Sequence, residues 1–198
     1  MKRFKREDGT DFPEWGSASL GELVSVVYGD RITKKESSGT IYPVYGGGGC
    51  SFFTDKFNQT DTLVVSRFAI SKNCVRYESG SFWLLDSALT LIPNEGINKK
   101  FLFYKLKSMQ KDIYKTAHGI TQKNVQVKDL LALKIEFPCI EEQNKIADFL
   151  TELDKRIGLE KQLVEQLVEQ LLLKHLKDLP AYGQALTWCF HDSYDLLD

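Results

Sequence analysis

The chain has 198 residues, of which 42% are hydrophobic and 27% charged, and its 26 basic and 27 acidic side chains leave a net charge of −1. That composition suits one globular domain with an extension, or two small units. No apolar run reaches the ~18 residues of a membrane span, and the start, MKRFKREDGTDFPEW, lacks the apolar segment of a secretory signal, so a cytoplasmic chain with no membrane contact is expected.

Residues 17–28, SASLGELVSVVY, read as a short amphipathic turn leading into a strand, and residues 29–38 as a polar loop. Short β-branched and apolar runs follow at 41–44, 62–66, 74–77, 82–85 and 88–92, separated by Gly, Asn and Ser clusters. That spacing predicts a compact, mostly β region. GGGGC at 46–50 reads as a loop, because consecutive glycines hold no regular element. Residues 101–116 carry apolar side chains at helical spacing, and 118–124 are polar again. Residues 130–137, LLALKIEF, read as a strand ending before Pro138.

A long helix is predicted from about 140 to 178. Glu141 and Glu142 fall in its first turn, where acidic groups suit the helix dipole. Ile146, Leu150, Leu153, Ile157, Val164, Leu167 and Leu171 recur at spacings of four and three, with Glu160 as the interruption. This is a coiled-coil seam. Such a helix is a rod of roughly 58 Å, too long for one small domain to cover. Pairing with a second copy, parallel or antiparallel, covers the seam, and folding back on its own domain is the other arrangement. The fold class is therefore α+β: a mostly β domain over 1–138, a helix over 139–178, and a tail over 179–198 whose role the pattern does not define.

Charge divides along the same line. Residues 1–138 hold 20 basic and 15 acidic side chains (+5), and residues 139–198 hold 6 and 12 (−6). A mildly basic domain is compatible with nucleic acid and equally with an ordinary solvated surface. Cys50, Cys74, Cys139 and Cys189 form no C-x-x-C pair and read as reduced structural thiols. His118, His175 and His191 lack metal-ligand spacing. The chain contains no G-x-x-x-x-G-K-[ST], H-E-x-x-H or G-x-S-x-G motif, nor the Asn/Asp-Pro-Pro-aromatic loop of amino-methyltransferases. Those absences lower the expectation of an enzyme, metal site or bound cofactor in this chain.

Binding loops are the stronger signal. Lys34 and Lys35 follow the Gly29 turn, Tyr45 precedes the glycines, Arg67 and Lys72 lie in SRFAISKN, and Thr121, Gln122 and Lys123 lie in HGITQKN. Lys34, Lys35, Lys72 and Lys123 suit phosphate, while Tyr45, Arg67, Thr121 and Gln122 are candidates for base or sugar contacts. Each loop alone is also compatible with ordinary polar surface.

In order, these segments resemble the specificity subunit of type I restriction-modification systems. FPEWGSASLGELVSVVYG is similar to the entry of a target recognition domain, and Val65-Ser66-Arg67-Phe68 to a turn common in that family. Gly119, Thr121, Gln122 and Val125, then a strand, a proline and the helix opening Glu142-Gln143-x-x-Ile146-Ala147-x-x-Leu150, carry the most specific likeness. A full-length member alternates two recognition domains with two helical regions, whereas this chain has one of each.

The resemblance implies a non-catalytic half-subunit. Two copies would pair through the helix and read an interrupted palindrome in double-stranded DNA. It also implies methyltransferase and restriction subunits as partners, with S-adenosylmethionine, ATP and Mg on those subunits. Under this reading Arg67→Ala relaxes specificity, and Lys72→Ala weakens all sequences alike. The alternatives are a decoy that binds methyltransferase subunits without reading DNA, and a methyltransferase fragment.

Overall fold

A computed structural model describes residues 3–68, 74–120 and 123–177. Among the described residues, ten strands and five helices run in the order β1 Gly16–Ser19, α1 Leu20–Leu23, β2 Val24–Tyr28, β3 Tyr42–Tyr45, β4 Cys50–Thr54, β5 Gln59–Ser66, β6 Val75–Leu84, β7 Ala88–Pro93, α2 Lys99–Ser108, α3 Gln110–Lys115, β8 Ala117–His118, β9 Asn124–Val125, α4 Val127–Leu131, β10 Lys134–Phe137 and α5 Ile140–Lys177. The α+β class expected from the sequence holds.

Alternation of side chains along β5 organises the core. Leu63 and Val65 face one side, where they join Leu20, Leu89, Leu91, Leu102, Leu106 and Ile113 in the larger cluster. Val64 faces the other side, with Phe82, Leu84 and Ala88. Because both faces are covered there, β5 is buried from Thr62 to Ser66, with Leu63, Val64 and Val65 as its continuous apolar run. It lies inside a six-stranded sheet of order β2-β7-β5-β6-β3-β4, whose pairs are antiparallel except for β3 with β6. Strands β1 and β10 pair separately, as do β8 and β9.

Four sequence expectations are corrected. The runs at 74–77 and 82–85 are one strand, β6. Gly80 at φ 75° sits opposite a bulge at Asp61, and the Asp61 carboxylate accepts from the Gly80 N–H at 2.8 Å, so the Gly-Ser cluster curves the strand without ending it. The predicted helix 101–116 is two helices broken at Met109. Residues 130–137 are strand only over β10, because Leu130 and Leu131 close α4 and Leu130 is buried in the core. Strand β4, just after the glycine run, was not expected; it pairs with β3.

Helix α5 is anchored at its start. Gln143, 1% exposed, accepts from the Asn98 N–H at 2.9 Å and donates to the carbonyls of Gly96 and Pro138. Glu142 is buried against the Arg3 guanidinium at 2.8 Å, and Phe4 meets Phe149 edge-on. The chain divides into two compact units at Leu150/Thr151. The first unit therefore includes the opening of α5, beyond the boundary at 138 read from sequence. No helix of the described residues is long and apolar enough to cross a membrane.

Candidate nucleic-acid interface

Several loops expected to bind are joined by backbone hydrogen bonds. Gly29 N–H donates to Ala88 O, Asp30 N–H to Leu84 O, Leu85 N–H to Tyr45 O, Arg67 N–H to Ser87 O and Val125 N–H to Arg67 O. Five segments far apart in sequence thus converge: the end of β2, the end of β3 with its glycines, the end of β5, the β6–β7 turn and the β8–β9 hairpin.

The glycine loop is fixed at one end and open at the other. The Arg76 guanidinium donates to Gly46 O and Gly47 O at 2.8 and 2.9 Å, and Ser66 Oγ donates to Gly47 O at 2.7 Å. A Cβ on Gly46 would lie 2.7 Å from Ser87 Oγ, whereas Gly48 and Gly49 face open space. The first two glycines permit close packing, and the last two leave backbone accessible to a ligand.

Arg67 lies at the centre. Its guanidinium sits 4.9 Å from the ring centroids of both Tyr28 and Phe68, which are themselves exposed. Its Nη1 donates to Asp86 O at 3.0 Å, and its buried Nε has no partner among the described residues. Two rings and a carbonyl contact this fork, whose intrinsic planarity is what lets arginine recognise planar acceptors. Tyr45 is half-buried with its ring edge-on to Phe82, and burial pushes its phenol pKa up, so the hydroxyl stays neutral. The Lys123 ammonium lies 4.6 Å above the Tyr114 ring.

Lys34 and Lys35 stand apart from that cluster. They occupy an exposed turn closed by Glu36, which accepts from both the N–H and Oγ1 of Thr33. That turn is tied to β4 through Ser37 and Thr54. Lys72, Thr121 and Gln122 lie outside the described residues.

Sequence reasoning missed Tyr28, Phe68 and Arg76. Arg76 carried a signal: Arg and Glu78 two apart on a strand share a face, and they pair at 2.8 Å. Tyr28 and Phe68 carried none beyond their aromaticity. Among the described residues no cluster of His, Cys, Asp and Glu could hold a metal, and Cys50, Cys74 and Cys139 are free thiols.

The helix seam divides in two. Ile146 and Leu150 are half-buried in the first unit. Leu153, Ile157, Val164, Leu167 and Leu171 are 37–63% exposed, beside the equally open Leu163, Val168 and Leu172.

Residues 13–169 match the model of the type I restriction modification DNA specificity domain. A Mycoplasma pneumoniae protein named as a type I specificity subunit is 30% identical over 156 residues, covering 76% of this chain and 42% of that one. The EcoprrI specificity subunit of Escherichia coli is 29% identical, covering 69% and 35%. The crystal structure of a type I restriction-modification S subunit from M. genitalium superposes with a TM-score of 0.72 at 26% identity, over 94% of this chain and 53% of that one. The chain thus spans roughly one-third to half the length of these relatives.

Proposed function

Because this chain belongs to the type I restriction-modification DNA specificity family, we propose that it reads duplex DNA as the non-catalytic specificity component of a methyltransferase and restriction complex. One unit recognises a half-site, and the long helix pairs with that of a second copy. The two-fold dimer then reads an interrupted palindrome whose gap is set by the helices. Methyltransferase subunits bring S-adenosylmethionine, and the restriction subunit brings ATP and Mg; the adenine chemistry and cleavage belong to those partners.

The observation that carries this reading is the convergence of five loops on the braced Arg67 and the open glycine backbone. Fixed donors beside accessible backbone and aromatic faces suit phosphate positioning and base readout together. The exposed apolar seam from Leu153 to Leu171 supports pairing of helices.

The test is selection from a randomised duplex pool by the full chain together with its methyltransferase subunit. The reading expects enrichment of one two-fold symmetric, interrupted sequence. Retention of duplexes without sequence preference would contradict it and favour a chain that only binds methyltransferase subunits.

A further inference from the structure

The domain's net positive charge is concentrated in one stretch of its sequence. Between Lys99 and Lys115 lie six lysines, Lys99, Lys100, Lys105, Lys107, Lys111 and Lys115, and one acidic residue, Asp112. That local excess of +5 equals the whole excess of residues 1–138, so the rest of the domain is neutral in sum. The apolar side of α2 and α3 is spent on the core through Phe101, Leu102, Leu106 and Ile113, which leaves the lysines on the outside.

Several of these ammonium groups rest on aromatic rings. Lys107 lies 5.2 Å from the Phe103 ring centroid, Lys105 5.8 Å from Trp15 and Lys100 3.2 Å from Tyr77. A ring positions a cation without cancelling its charge. Asp112 pairs with Lys115 at 2.7 Å, both side chains being substantially exposed, and such a pair holds little energy against a polyanion.

This basic surface adjoins the loop cluster. Helix α3 runs directly into β8; Gln126 N–H donates to Thr116 O, and Val125 N–H to Arg67 O. Lys123 of the hairpin lies over Tyr114 of α3, and the Cys74 thiol beside β6 donates to the Gln110 side chain at 3.4 Å. We infer that the lysine face of α2 and α3, centred on Lys107, Lys111 and Lys115, is a second DNA-binding surface that tracks phosphates flanking the sequence read by the Arg67 cluster. The inference rests on the DNA-reading function proposed above. These residues supply sequence-independent affinity, because lysines act on phosphate as point charges.

The experiment measures binding of the full chain, with its methyltransferase subunit, to a duplex carrying its selected site and to one lacking it, across a salt series. The triple variant Lys107→Gln, Lys111→Gln, Lys115→Gln is compared with the wild type and with Lys134→Gln, an exposed lysine outside the two helices; thermal melting checks that each is folded. The slope of log affinity against log salt should fall by about 0.9 for each phosphate that the variant no longer neutralises, to a similar extent on both duplexes, with the ratio between them unchanged. An unchanged slope in the folded triple variant overturns the inference. So does an effect confined to methyltransferase co-purification, which would make the lysines a protein-binding surface. If the wild type shows no preference between the duplexes yet the slope still falls, the sequence-reading function fails while the phosphate surface stands.

Discussion

Arg76 and Arg67 divide the work at the centre of the loop cluster. Arg76 satisfies two glycine carbonyls and is held by Glu78, so it shapes the loop. Arg76→Ala should lower stability by about 1–3 kcal/mol through the Gly46 carbonyl left without its donor, Gly47 O keeping Ser66 Oγ, and should speed amide exchange at Gly48 and Gly49. Arg67 presents a planar fork between two rings. Arg67→Ala is expected to narrow the affinity ratio between specific and nonspecific duplexes, and Arg67→Lys not to restore it, since an ammonium lacks the fork; restoration by lysine would reduce Arg67 to a simple charge. Cysteine reactivity offers a separate check on burial. Cys50 is exposed, whereas Cys74 is 1% exposed and its thiol pKa is pushed up by burial. Iodoacetamide followed by mass spectrometry should label Cys50 well before Cys74. Arginine and lysine in polar loops were legible as candidates from sequence; the aromatic brace was not, because Tyr28 and Arg67 meet only once β2 and β5 are placed in one sheet.

Elements were legible to the extent that their own periodicity decided them. Helix α5 was, since its apolar spacing runs unbroken by Pro and its first turn is acidic. Strands β5 and β7 were, as β-branched apolar runs. The β6 curve was not: Gly80 reads as a stop, and only the Asp61 bulge on the neighbouring strand turns it into a bend. Nor was the break at Met109, where neither Gly nor Pro intervenes and Ser108 Oγ donates back to Lys105 O. The joint between domain and helix rests on Gln143. Gln143→Ala leaves the Asn98 N–H and two carbonyls without their partner, an expected loss of about 2–4 kcal/mol, readable by denaturant unfolding. Helix α1 offers a pH test. The Ser19 N–H and Oγ both donate to Glu22, holding its carboxyl below the ordinary range. A lowered folded pKa means this contribution is present at neutral pH and is lost as pH falls through the lowered value; Glu22→Gln should remove that part of the acid dependence of the melting temperature.

At the scale of the molecule, the proposed function gives the exposed face of α5 and the loop cluster one purpose: the unit would read half a site, and the helix would supply the other half by pairing. The seam past Leu150 is covered by nothing among the described residues, and apolar residues 37–63% exposed along several turns favour a partner. The most direct measurement is the solution mass of the full chain by light scattering across a concentration series, with Ile157→Asp/Leu167→Asp beside it. The account predicts a stable mass of twice 22.6 kDa for the wild type and a monomer for the double variant. A wild-type chain that stays monomeric at every concentration would contradict pairing through α5, and with it the two-fold site.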